Sequence, residues 1–194
     1  RFCDIVNHTK QQKNEIGVPT RLKARDVSET IAEALKEPGR FTGMCLTAGS
    51  VLKGEEIFDR EVEYYIETLQ AIGENFASKK FPSQLIASAF NEKQLARLYE
   101  ETGLMSYTSD LEVLGERLFN WICPGKAHAV GYREWRQRLI RAVDIFGRGR
   151  NHFFLIAGKL VRTGGSLILK LPQNYPWQLE YRAAEYRLEV LQFT

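Results

Sequence analysis

The 194-residue chain is 44% hydrophobic and 26% charged, the makeup of a globular protein with enough apolar side chains for a real core. Its formal net charge of +3 comes from interleaved acids and bases, which makes no electrostatic case for a nucleic acid or a membrane surface as partner. The longest apolar runs fall far short of the roughly 20 residues that a membrane span needs, and no signal-peptide pattern opens the chain, so a cytoplasmic location is expected.

In chain order, residues 26–37 space Val27, Ile31, Ala34 and Leu35 as one helical face after an Asp26 or Ser28 N-cap, and Pro38-Gly39 stops the run. Residues 41–47 form a short apolar run that ends in Ala48-Gly49-Ser50, the pattern of a buried strand feeding a small-residue turn. Residues 59–76 put apolar side chains at 62, 65, 66, 69, 72 and 76 and read as a long amphipathic helix. Pro82 separates it from a second strand at 84–89, and Asn91 caps the helix that Gly103 closes. A third strand at 104–108 is followed by a helical pattern at 112–122, by Pro124-Gly125, and by an amphipathic helix at 132–146 that Gly147 ends.

Strands alternating with helices of this length imply βαβ crossovers and a parallel sheet, either an open doubly wound sheet or a closed barrel. In both, ligands gather at the C-terminal ends of the strands, which directs attention to residues 47–50, 89–90 and 109–112. From residue 151 the character changes: an apolar piece, a Gly164-Gly165 turn, an alternating strand and a helix at 177–192 read as a hairpin followed by a helix.

The three cysteines, Cys3, Cys45 and Cys123, are odd in number and far apart, which argues against a disulfide framework and fits a reducing compartment. Cys45 lies inside an apolar strand and reads as core. His8 is near Cys3, but no second pair of ligands completes a metal site around them. Glu112, at the start of a helical pattern, would be favoured there by the helix dipole, and Asp110 and Glu112 need not converge on one substrate.

Arg1-Phe2-Cys3-Asp4 resembles the end of the radical S-adenosylmethionine (radical SAM) cluster motif CxxxCxΦC, whose two earlier cysteines would lie before Arg1. Leu46-Thr47-Ala48-Gly49-Ser50 resembles the Gly-rich turn that meets the amino end of S-adenosylmethionine in that superfamily, with Ala48 where glycine is usual. Ser109-Asp110-Leu111-Glu112-Val113 resembles the place on the superfamily's fourth strand where a polar residue or Glu faces SAM, and Ile122-Cys123-Pro124-Gly125-Lys126 and Phe146-Gly147-Arg148-Gly149 resemble the biotin-synthase-like branch. The likeness covers residues 1–150 and implies a partial (βα) barrel, a [4Fe–4S] cluster with Cys3 as metal ligand, and S-adenosylmethionine held by Thr47, Ala48, Gly49, Ser50 and Glu112. It also implies a small-molecule substrate, reductive cleavage of S-adenosylmethionine to a 5′-deoxyadenosyl radical, and a reductant protein such as flavodoxin or ferredoxin.

Three thiolates hold such a cluster, so a chain starting at Arg1 is expected to be a truncated, inactive enzyme. Residues 151–194 resemble the C-terminal tail of DDE-type insertion-sequence transposases, through 160–165, Leu171-Pro172 and Tyr175-Pro176-Trp177, without a carboxylate triad. The alternative expectation is a noncatalytic fusion fragment with a transposase-derived, DNA-associated tail.

Overall fold

The computed structural model describes residues 10, 11, 13–15, 21–39, 41–148 and 150, and the backbone of residues 151–152, 159–163 and 166–170. Its body alternates helices and strands in the expected order: α1 (Ala24–Leu35), β1 (Met44–Thr47), α2 (Asp59–Gly73), β2 (Ser83–Ile86), α3 (Glu92–Glu101) and β3 (Ser106–Thr108). Then come α4 (Glu116–Ile122), α5 (Pro124–Ala129), α6 (Tyr132–Phe146) and the two-residue β4 (Asn151–His152). The strands form one parallel sheet in the order β1-β2-β3-β4, with Leu46 beside Leu85, Leu85 beside Tyr107 and Tyr107 beside Asn151. The parallel sheet thus extends two residues beyond position 150, where the sequence changes character. A separate antiparallel pair, β5 (Lys159–Thr163) and β6 (Ser166–Lys170), forms where a hairpin was expected. The helix expected at 177–192 lies outside the described residues.

Strand order equals chain order, so no reversal sends helices to opposite faces. Met44, Leu46, Leu85 and Tyr107 face one layer built from α1, α2, α3 and α6, in a core that includes Val62, Leu69, Ile72, Leu95, Leu98, Ala142 and Phe146. Aromatic rings knit this core across elements: Phe90 lies 6.0 Å from Phe58 and 5.9 Å from Tyr107, and Tyr107 lies 5.8 Å from Phe146. Such offset and edge-on pairs add about 0.5–1.5 kcal/mol each beyond area burial. A second core, of Ala89, Leu111, Val113, Phe119, Cys123, Tyr132, Trp135 and Leu139, packs α4 and the start of α6 against the segments that follow β2 and β3.

Several local expectations are met by visible chemistry. Asn91 accepts from the Gln94 amide at 2.9 Å while the Gln94 side chain accepts from the Asn91 amide at 3.0 Å, a full capping box. Gly147 caps α6 at φ 89°, a conformation that favours glycine.

Three differ. Helix α1 starts at Ala24 on an extended Lys23 rather than on Asp26 or Ser28. The Ser28 hydroxyl instead donates to the Ala71 carbonyl at 2.6 Å and accepts from Asn75 at 2.8 Å, tying α1 to the end of α2. Pro124 begins α5 rather than only ending a helix, because a first helical position needs no N–H. Helix α4 begins at Glu116, leaving Glu112 in the preceding turn with φ 67°, outside the reach of a helix-dipole explanation.

Gly103, expected to close a helix, sits where α3 gives way to the approach to β3. A methyl group there would overlap the Lys79 carbonyl and the Phe81 ring, and Phe81 is itself buried. Gly103→Ala should therefore cost about 1–3 kcal/mol, as overpacking against backbone does. A urea midpoint equal to that of the unmodified protein would contradict this packing.

Candidate functional site

Side chains on a strand alternate between faces. The face opposite the helices carries Cys45 and Thr47 from β1, Gln84 and Ile86 from β2, and Ser106 and Thr108 from β3, in register with one another. A parallel sheet is ordinarily covered on both faces by apolar residues. Here the second face is mainly polar, and Cys45 and Thr47 are exposed on it. Gln84 donates to the Thr108 hydroxyl at 2.8 Å, bridging β2 and β3 on this face.

Cys45 is thus not a core residue. The apolar run around it is real, but only Met44 and Leu46 of that run point at the helices, and Cys45 takes the other face. Local desolvation still holds its thiol above the ordinary value, so it favours the protonated form at neutral pH.

The segments after β1, β2 and β3 leave the same edge of the sheet. The first of them, with Thr47, Ala48, Gly49 and Ser50, is anchored by a side chain that the sequence reading passed over. Glu61 of α2 is buried, and it accepts from the Val51 amide at 2.9 Å, the Ser88 amide at 3.2 Å and the Ser88 hydroxyl at 2.9 Å. The Ser88 and Ser50 hydroxyls are 2.8 Å apart, and the Tyr107 hydroxyl donates to the Ser88 carbonyl while accepting from the Phe90 amide at 3.1 Å. One carboxyl therefore clamps the turn after β1 to the segment after β2. Burial pushes this carboxyl above the ordinary 4.5, outweighing the donors that favour its charge.

The third segment holds Glu112. Lys126, from α5, donates to Glu112 at 2.9 Å and to the Asp110 carbonyl at 2.7 Å, and its ammonium lies 4.9 Å from the centre of the Trp135 ring. The Glu112 side chain is 13% exposed and that of Lys126 28%, so water screens this pair less than a surface ion pair. A positive φ at a residue other than glycine costs on the order of 1–3 kcal/mol. The Lys126 contacts hold Glu112 in that conformation.

The predicted residues thus fall into two groups on one edge. Thr47, Ala48, Gly49 and Ser50 sit with Glu61 and Ser88, while Glu112 sits with Lys126. The ends of β1 and β3 are two strand spacings apart, about 10 Å. Cys3 and His8 lie outside the described residues. Among the described residues no group of three or more His, Cys, Asp or Glu side chains could hold a metal ion. Cys45 and Cys123 are free, Cys123 being buried in the second core.

Glu61 had a signal in the sequence. It lies four residues before Tyr65 and eight before Leu69, on the stripe that buries α2, yet it is an acid. Lys126 follows Pro124-Gly125, and nothing in that local pattern points to Glu112. The Gln84–Thr108 pair had no local signal, because it joins two strands.

No family model matches the chain, and no curated protein matches it. Among the described residues, no helix is long and apolar enough to cross a membrane.

The raised value of Glu61 has a definite effect on stability. The native state keeps its proton to higher pH than the unfolded chain, so stability should fall as pH rises from about 4.5 and level off once the folded carboxyl ionises. Glu61→Gln should flatten that fall at a cost of about 0.5–1.5 kcal/mol for one mismatched backbone amide, while Glu61→Ala costs about 1–3 kcal/mol. Urea midpoints across about pH 4 to 8 read both effects. An identical pH profile in Glu61→Gln and the unmodified protein would rule out Glu61 as the source.

Proposed function

We propose that residues 1–150 are part of a radical SAM enzyme core, a partial (βα) barrel whose uncovered sheet face is its interior. S-adenosylmethionine binds across the C-terminal strand ends, between the 47–50 turn and Glu112. The observation that carries this reading is the pairing of two features: an all-parallel sheet in unbroken chain order, and a polar open face whose edge is braced by Glu61 and Lys126. Unbroken order is the strand order of a parallel barrel, the layer of α1, α2, α3 and α6 covers one face, and ligands of parallel barrels bind at the C-terminal edge.

The two braced segments suit the two ends of the ligand. The 47–50 turn, with exposed backbone and the Ser50 hydroxyl, offers acceptors to an ammonium group. Glu112 offers a carboxylate to ribose hydroxyls or to a positive charge. When bound, the iron–sulfur cluster would supply the electron that cleaves S-adenosylmethionine. The described residues do not fit such a cluster, since Cys45 lies on the open face, Cys123 in the second core, and neither belongs to a group of potential ligands. Cys3 is the candidate thiolate that this reading retains, and no reaction step is assigned to the described residues.

Two measurements test the proposal. Calorimetric titration with S-adenosylmethionine should give saturable binding, weakened about tenfold in Glu112→Ala, which loses one charge-assisted contact. Anaerobic reconstitution with iron and sulfide of the 194-residue sequence, compared with its Cys3→Ala variant, should show any iron–sulfur absorbance lost on removing Cys3. Absence of binding by a folded sample would end the S-adenosylmethionine reading, and iron–sulfur absorbance unchanged in Cys3→Ala would overturn the assignment of Cys3 as a ligand.

A further inference from the structure

The contacts around Ser88 contain a choice that the heavy atoms alone do not make. Its hydroxyl is 2.9 Å from Glu61 and 2.8 Å from the Ser50 hydroxyl, but it has one proton to give. When Glu61 is ionised, a carboxylate only accepts, so Ser88 donates to it and Ser50 donates to Ser88. The Ser50 proton is then used internally, and Ser50 presents only lone pairs outward. When Glu61 is protonated, it donates to Ser88, Ser88 donates to Ser50, and the Ser50 proton is free to point at a ligand.

We propose that Glu61 is a positioning residue that acts through Ser88 to set the hydrogen-bonding sense of Ser50. With Glu61 ionised, the 47–50 turn accepts from an ammonium group; with Glu61 neutral, it favours a ligand acceptor such as a carboxylate. The proposal rests on the reading of that turn as the contact for the amino end of S-adenosylmethionine.

The surroundings allow Glu61 to be the group that changes charge. Tyr65 on the same helix and Tyr107 from β3 both feel its charge, and burial raises both phenols well above their ordinary range, so they stay neutral. Arg138 of α6 is engaged by Glu134 at 3.0 Å and by the Ala89 carbonyl at 3.0 Å. Among the described residues, the hydrogen-bond partners of Glu61, the Val51 amide and Ser88, are uncharged. A ligand ammonium at Ser50 would favour the ionised state, so its binding should expel the Glu61 proton to solvent.

The test is S-adenosylmethionine titrated into the full chain in two buffers of different ionisation heat, over about pH 5 to 8, with 5′-methylthioadenosine, which lacks the amino acid, as the comparison ligand. Far-ultraviolet circular dichroism checks that each variant is folded. The unmodified protein should release protons on binding S-adenosylmethionine and bind it about tenfold more tightly as Glu61 ionises, the worth of one charge-assisted hydrogen bond. Glu61→Gln and Ser88→Ala should lose both effects, and Ser50→Ala, a change at an exposed position, should lose them without unfolding the protein. 5′-Methylthioadenosine should bind with a flat pH profile throughout. If the unmodified protein binds S-adenosylmethionine with a flat profile, or if Glu61→Gln keeps the rise, the relay is overturned and the function reading stands. If a folded sample binds no S-adenosylmethionine, both fall together.

Discussion

The constraint on which the rest of this structure depends is that its parallel strands follow one another in space as they do in sequence. Each return to the next strand needs a crossover of the same sense, and with no reversal of order α1, α2, α3 and α6 gather on one face. That single fact divides the sheet. One side becomes dry, where Leu69, Ile72, Leu85, Leu95 and Leu98 are fully buried and Phe90, Tyr107 and Phe146 pack rings across the segment after β2, β3 and α6. The other keeps Cys45, Thr47, Gln84 and Thr108, of which Cys45 and Thr47 are exposed.

What happens at the sheet edge follows from that division. The segments leaving β1 and β2 have no regular partners of their own, so their amides need acceptors, and Glu61 reaches from the dry side to supply them. Tyr107 does the same from β3, its hydroxyl taking the Phe90 amide and giving to the Ser88 carbonyl. Ser88 is thereby held from two sides by groups rooted in the core. A buried carboxyl opposes folding as it ionises. Glu61 and the strained backbone of Glu112 are local departures from the stability-optimal choice, and both lie where the proposed ligand would bind.

The departures also show which features of the site a reader of the sequence could see. The small-residue turn at Ala48-Gly49-Ser50 and the acid at Glu112 stand in recognisable local patterns, and both fall at the C-terminal edge. Glu61 stood in plain view on the buried stripe of α2, but a stripe with one acid in it reads as a helix with a solvated margin. Its partners, Val51 and Ser88, are ten and twenty-seven residues away, and no local rule joins them to it. Lys126 likewise acts across fourteen residues, from a short helix whose first residue is a proline usually taken as a stop.

By itself, the sequence determined the alternation of strands and helices, the parallel class of the sheet, the Asn91 and Gly147 caps, and the hairpin around Gly164-Gly165. Each of these is set by spacing, capping or turn chemistry within a few residues. Tertiary structure alone decided that Cys45 is exposed, that Glu61 is buried and joined to Ser88, and that Glu112 turns into a left-handed conformation under Lys126. The physical reason is the same for all three. The two-residue period of a strand says which side chains share a face, but only the order of strands and the placement of helices say which face is covered.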